Sequence, residues 1–392
     1  MPFIKSQELQ RWYKADKAKC LSNLRESLRT KEIRPTDFSI RDLAEAFIVD
    51  RNGDPLGAEF TRALDPRYGG DTVAVMEAVD SAAFKSISGQ LIYTAMMDEY
   101  EMYMAPVEGL YTNVPTRFNG ERIPGVSGIG EQNEVVRELE EYPSVGIGAD
   151  WVDTPETVKR GSKIEISKET LFFDRTNLII DRASKVGMWL GLNKAKRIID
   201  MVLGVTNTYK WMDTAYDTYQ TTTPWININA SNGLSTYANI DDALAMFNAI
   251  TEPKTGEPIM VVPKQIVLNT GLSYTARNIF GASQVVVDPN ANTGTAQTQM
   301  WIPNSVVTPA LQIINSPIID ARYTAGSVTA TNWYIGDFKR SFMYMENWPI
   351  SVDPMPANSY EEWNRDVVAG WKAGERGVCA VKDPRYVQEN TA

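Results

Sequence analysis

The chain has 392 residues, 43% of them hydrophobic, and a formal net charge of −10. That size and an ordinary apolar content leave room for two or three domains with ample core, and the carboxylate surplus argues against general nucleic-acid binding by the folded body. Histidine is absent, which removes Ser-His-Asp and Cys-His nucleophile systems, His-ligated metals and the commonest general base; an enzyme here would have to use carboxylates, lysines or tyrosines.

The N-terminus, Met1–Arg11, is mixed and charged, without the apolar centre of a signal peptide, and no apolar run is long enough to span a bilayer. Cys20 and Cys379 stand at opposite ends with no CxxC spacing, so they are expected to be reduced thiols rather than a disulfide. Charge is uneven: residues 1–34 sum to +5, leaving −15 for the remainder. A basic arm of this kind is suited to docking on the acidic body of a neighbouring copy.

In chain order, Met1–Thr30 predicts an amphipathic helix through Leu9, Trp12, Tyr13, Leu21, Leu24 and Leu28. A second helical piece, Ile40–Ile48, is set off by Pro35 and the turn residues Arg51–Pro55. Thr72–Glu101 is again amphipathic, and its aromatic and methionine residues (Tyr93, Met96, Met97, Tyr100, Met102) read as core or interface packing. Tyr111–Gly161 has recurrent glycines between strand-like pieces, Val135–Leu139 and Ser144–Trp151, which suits a long two-stranded extension. Such a flap exposes strand edges and makes sense where a neighbour covers it. The run Gly125-Val-Ser-Gly-Ile-Gly130 neither follows a buried strand nor opens a helix, so it is a poor nucleotide site.

Lys163–Ile166 alternates as a short strand, and Ser167 is placed to cap a helix running to Gly204. Two apolar stripes, Ile179/Ala183/Val186/Leu190 and Met188/Leu192/Ala195/Ile199/Val202, repeat at steps of three and four. A helix of about 36 residues is several times the usual ~11–12; Gly187 and Gly191 are expected to weaken or bend it. Beyond it, Thr206–Ser235 reads as a surface loop region. A mixed α/β stretch follows, with a helix at Asp241–Ile250, strands at Ile259–Val262, Gln265–Asn269, Val285–Val287, Ser305–Thr308, Gln312–Ile314, Trp333–Ile335 and Phe342–Glu346, and a short helix at Thr275–Phe280. The tail predicts a helix over Tyr360–Lys372 and a last strand at Gly377–Val381.

The order of these parts resembles tailed-phage major capsid proteins of the Hong Kong ninety-seven type. The matching pieces are Lys163-Ile-Glu-Ile-Ser-Lys-Glu169 leading into the long helix, Lys254-Thr-Gly-Glu-Pro258 before Pro263–Leu268, Ile335-Gly-Asp-Phe338, and Gly377-Val-Cys-Ala-Val-Lys-Asp-Pro-Arg-Tyr386. The resemblance covers roughly Asp71–Val387. It implies an α+β fold divided into a helical N-terminal arm region (1–110), an extended β-hairpin loop (111–162), a peripheral domain with the spine helix (163–234), an axial domain (235–339), and a return to the peripheral domain (340–392). It also implies a structural protein without enzymatic chemistry, cofactor or metal. Copies assemble as hexamers and pentamers of an icosahedral shell in the virion, built in the host cytoplasm around double-stranded DNA that is not read by sequence. Scaffolding, portal and decoration proteins are the further partners so implied. Arg137, Glu138, Lys159 and Arg160 are the candidate subunit-interface residues, with a solvated face as the plain alternative. Some members cross-link a loop lysine to a distant asparagine, for which Lys159 and Asn358 or Asn364 lie in the corresponding regions.

Two other readings remain. One is an encapsulin-like compartment enclosing a cargo enzyme. The other is a carboxylate-based hydrolase using Glu131/Glu134 or Asp213/Asp217, although nothing in the sequence fixes those acids at catalytic separation.

Overall fold

The computed structural model describes residues 11–12, 15–35, 82–125, 138, 150–167, 178–222, 224–252, 256, 258–282, 284–287, 300–303, 311–356, 360–365 and 367–392. The expected elements at Ile40–Ile48, Val135–Leu139 (apart from Glu138) and Ser305–Thr308 lie outside these residues.

Helix α1, Lys17–Arg29, begins at Asp16, whose carboxylate accepts the Lys19 backbone N–H at 3.1 Å. That side chain satisfies one of the amide donors a helix start leaves unpaired. Cys20, Leu24 and Leu28, four apart, form its buried face. Helix α2, Ala82–Met104, buries Ile87, Leu91, Ala95 and Met96 and runs into a 3-10 turn, Ala105–Leu110. Short strands follow: β1 (Thr112–Pro115), β2 (Arg122–Pro124), β3 (Trp151–Asp153) and the longer β4 (Val158–Ser167). Ser167 ends β4 and is therefore strand, not the expected helix cap. The long helix, α3, is described over Leu178–Val202, 25 residues or about 38 Å; residues 168–177 lie outside the described set.

Next come β5 (Lys210–Trp211), β6 (Thr214–Ala215), β7 (Ile228–Asn229), helix α4 (Tyr237–Asn248), β8 (Gln265–Leu268) and α5 (Thr270–Gly281). Strands β9 (Gln284–Val287) and β10 (Met300–Pro303) pair antiparallel, and β11 spans Gln312–Ile314. Helix α6, Pro317–Ala325, was not expected; its start is nonetheless written locally, with Ser316 as cap and a proline at the first turn. The chain closes with β12 (Trp333–Gly336), the single turn α7 (Phe338–Ser341), β13 (Phe342–Pro354), α8 (Tyr360–Arg365), β14 (Val367–Val381) and β15 (Val387–Asn390).

Besides the Ser167 cap, three expectations are corrected. The helix over Tyr360–Lys372 stops at Arg365, because Gly370–Lys372 belongs to β14, whose alternate residues Trp371, Ala373 and Glu375 are buried. Thr206–Ser235 is a surface loop region only in part: Tyr209, Tyr219, Trp225 and Asn227 are buried, and the Trp225 ring lies 5.3 Å from those of Tyr209 and Tyr216. Ile259–Val262 forms no strand; Ile259 and Val261 turn inward onto the core while Met260 faces out.

The chain divides into two compact units: residues 1–104, 159–193 and 348–376 in the first, and 105–158, 194–347 and 377–392 in the second. In the first unit, α2 and α3 approach closely enough that a Cβ on Gly187 would strike the Met96 carbonyl, and one on Gly191 would lie 2.9 Å from the Tyr100 carbonyl oxygen. In the second unit a five-stranded sheet has the order β11-β8-β12-β15-β7. β8 and β12 lie inside it and are buried throughout, so apart from Gln265 at the start of β8 their side chains are mainly apolar on both faces. Ile240, Ala243 and Phe247 of α4 pack with Ile266, Leu268, Trp333 and Ile335 of the sheet. A four-stranded sheet, β1-β13-β14-β4, has β4 at one edge.

Candidate subunit interface

The second unit holds the stem of the predicted extension. β2 and β3 pair antiparallel, Arg122 opposite Asp153 and Pro124 opposite Trp151, and the Gly125 N–H donates to the Asp150 carbonyl at 2.8 Å. The two limbs bounding residues 126–149 therefore leave side by side. Arg122 locks them: its guanidinium donates to Asp153 at 2.9 Å and to Asp213 at 3.2 Å, and lies 4.8 Å from the Trp151 ring centroid. Lys210 stands 3.7 Å from both carboxylates. The Trp211 indole donates to Asp150 at 3.1 Å, while Thr154 Oγ1 both accepts from the Glu121 N–H and donates to its carbonyl at 2.8 Å. These bonds fasten the stem to β5 and β6 on one side and to the Asn119–Glu121 turn on the other.

Arg137, one of the four candidate interface residues, lies outside the described residues; Glu138 is exposed in a turn. Lys159 and Arg160 are on β4 in the first unit, Lys159 exposed and Arg160 half-buried with interactions of its own. The structure adds a partner that sequence spacing did not reveal. Trp348 on β13 is 51% exposed, and the Lys159 ammonium and the Arg376 guanidinium lie 5.8 and 5.5 Å from its ring centroid. An exposed indole between two cations is a weak but directional arrangement, worth about 0.5–1 kcal/mol per cation–ring contact. Its chemistry suits an acidic surface with some apolar area. An exposed tryptophan beside Pro349 was the one sequence signal that could have found it.

Of the alternative acids, Asp213 is tied to Arg122 and Lys210, Asp217 is exposed, and Glu131 and Glu134 lie outside the described residues. Among the described residues no cluster of three or more His, Cys, Asp or Glu side chains is placed to hold a metal, and no helix is long and apolar enough to cross a membrane. Both cysteines are buried and neither is in a disulfide. Asn364 donates within α8 to the Tyr360 carbonyl at 3.1 Å, and Asn358 lies outside the described residues.

The residues that carried the family resemblance have structural reasons. Gly336 ends β12 where the Tyr386 backbone presses against it, leaving no room for a Cβ. Asp337 takes the Lys264 ammonium at 2.6 Å, and Phe338 stacks on Phe342 at 6.1 Å. Asp383 accepts from the Arg385 backbone N–H at 3.0 Å and from its guanidinium at 2.9 and 3.0 Å, closing the buried turn before β15.

A family model described as phage capsid protein matches residues 152–390. No curated protein matches the chain in sequence. Solved structures that are similar include the capsid of a native GTA particle (13% identity, 73% of this chain and 89% of that one, TM-score 0.43). The cyanophage Pam1 capsid is 12% identical over 74% of this chain and 91% of its own, with a TM-score of 0.44. A virus-like particle from Pyrococcus furiosus is 11% identical over 76% and 98%, with a TM-score of 0.39.

Proposed function

We propose, from the premise that this chain belongs to the phage capsid protein family, that it is the major capsid protein of a tailed phage, tiling in many copies into an icosahedral shell around double-stranded DNA. The single observation that carries this reading is the family match, which spans residues 152–390 and so includes α3, the five-stranded sheet and both long strands. The role is structural: subunits bind one another and the virion shell is their product. Assembly takes place in the host cytoplasm, with scaffolding, portal and decoration proteins as the other partners. The enclosed DNA is not read by sequence, and the acidic body disfavours its adhesion to the wall.

Within that reading, residues 1–110 act as a helical arm region, the stem at Arg122–Pro124 and Trp151–Asp153 carries an extended loop, and the Trp348 patch is a contact surface between copies. Its occupant is the acidic segment of a neighbouring copy: residues 131–141 hold Glu131, Glu134, Glu138, Glu140 and Glu141 against Arg137 alone. Lys159 and Arg376 supply the complementary charge and Trp348 the apolar area.

Negative-stain microscopy and size-exclusion with light scattering on the protein expressed alone test the assembly. Closed shells or hexamer and pentamer rings are expected; a monomer of 43.8 kDa at every salt and concentration would overturn it. Shells that carry a co-purified cargo enzyme and no nucleic acid, including when recovered from the producing cell, would place the chain with compartments instead.

A further inference from the structure

Within the second unit, the C-terminal end of α3 meets two tyrosines, and a third stands beside them. Tyr219 Oη donates to the Val202 carbonyl at 2.6 Å, and Tyr334 Oη lies 3.2 Å from the Leu203 carbonyl. Tyr323 Oη donates to the Asn332 carbonyl at 2.9 Å. The last carbonyls of a helix have no partner within it, so the Tyr219 and Tyr334 hydroxyls do the work of a cap. Tyr334, however, has a second acceptor in reach: Glu389 Oε1 on β15, at 3.1 Å, which also receives the Asn332 amide at 3.0 Å. A tyrosine hydroxyl carries one hydrogen. It cannot serve the Leu203 carbonyl and an ionised Glu389 at full strength together.

We propose that Glu389 is a proton-operated latch on the end of α3. When its carboxylate is ionised, Tyr334 gives its hydrogen to Glu389 and the Leu203 carbonyl loses that donor. When Glu389 takes a proton from solvent, its carboxyl donates to Tyr334 Oη, and the tyrosine hydrogen passes to the Leu203 carbonyl. One proton is taken up, no covalent bond between heavy atoms changes, and the helix end gains a hydrogen bond.

The surroundings favour operation above the ordinary carboxyl range. Burial pushes the Glu389 carboxyl above its ordinary value, against the opposing pull of the hydrogen bonds from Tyr334 and Asn332. The titratable groups facing it are Tyr334 from β12, Tyr323 from α6 and Tyr219 from the segment before β7; burial first, and then the Glu389 charge, raises all three, so they stay neutral hydroxyls. Asp320 of α6 acts on Tyr323. The nearby Asp200 and Arg322 are committed to each other through paired bonds of 2.6 and 3.0 Å. A folded-state value above the unfolded one means the native chain binds the proton more tightly. The latch's stabilisation is therefore full below about pH 4.5, the unperturbed carboxyl value, and is lost as pH rises through the folded one.

The test is hydrogen–deuterium exchange of the peptide covering residues 199–206 in the full chain, from pH 4.5 to 7.5 and corrected for intrinsic rates. Protection should be greater at the acid end by roughly three- to tenfold, the scale of one hydrogen bond. Glu389→Gln, which cannot titrate, and Tyr334→Phe, which cannot pass on the hydrogen, should each flatten the profile. A flat profile in the unaltered chain overturns the proposal, and so does an unchanged profile in Glu389→Gln. Dependence that survives Tyr334→Phe overturns it equally, so the proposal stays testable even where one variant fails to fold.

Discussion

Gly187 shows how a single residue can be misjudged from its own chain segment. By propensity alone, replacing it with alanine should stabilise α3 by up to about 1 kcal/mol. The approach of α2 reverses that sign, because the new methyl group would meet the Met96 carbonyl, which is backbone and cannot swing away. Overpacking of this kind costs about 1–3 kcal/mol. Gly187→Ala is therefore expected to lower the thermal unfolding midpoint, whereas an unchanged or raised midpoint would show that the helices separate freely. Lys194 makes a similar point about charge. It is 3% exposed, yet its ammonium sits 3.9 Å from the Tyr344 ring centroid and 3.7 Å from Glu346. Glu346 also receives the Asn113 amide at 2.8 Å, so the buried cation has a fixed counter-charge and is retained as part of the packing.

Among the elements, α3 depends on how its end is finished. The Gly204 N–H donates to the Met201 carbonyl, the Val205 N–H donates to the Asp200 carbonyl, and the Asp200 side chain holds Arg322 of α6 in a two-point contact. Arg322→Ala removes charged hydrogen bonds from a half-buried site and should cost about 1.5–3 kcal/mol in urea unfolding. Arg322→Lys should recover only part of it, since an ammonium cannot make both parallel bonds. Equal stability of all three proteins would mean that the pair is replaced by water. The strand elements were harder to read for a related reason. β14 carries Gly370, Gly374 and Gly377 in a strand whose partners approach closely: a Cβ on Gly377 would reach 2.6 Å from the Tyr344 ring and hydroxyl. Such glycines mark a close approach of neighbouring strands.

At the scale of the molecule, the proposed shell contact predicts a separation between folding and assembly. Trp348 is half-exposed, so Trp348→Ala should change the subunit's own stability by no more than about 1 kcal/mol. It should nonetheless prevent closed shells in negative stain. Because the contact relies on exposed charge, assembly through it should also weaken between about 0.05 and 1 M salt, where the screening length falls from roughly 14 Å to about 3 Å. Light scattering reads both effects. Normal shells from Trp348→Ala would remove the patch from the interface.

The sequence by itself determined what local chemistry controls. The 3.6-residue period of α3, the Asp16 and Asn269 caps, the capping Ser316 with its following proline, and the inward runs of β8 and β12 are all properties of neighbouring residues. The absence of histidine excluded whole classes of catalysis before any fold was known. Long-range pairing was left to the tertiary structure. Residues 360–372 divide between helix and strand because β14 needs the latter part for its sheet, and Tyr209, Tyr219 and Trp225 within Thr206–Ser235 are buried because the aromatic residues there find one another, while Asn227 donates to the Val387 carbonyl at 3.1 Å. Lys159, Trp348 and Arg376 meet only because β4, far off in sequence, lies in one sheet with β13 and β14. The same is true of Glu389 and Leu203, which share Tyr334 although nearly half the chain lies between them. A local pattern specifies an element; which elements share a hydrogen or a ring is fixed by the sheet that brings them within reach.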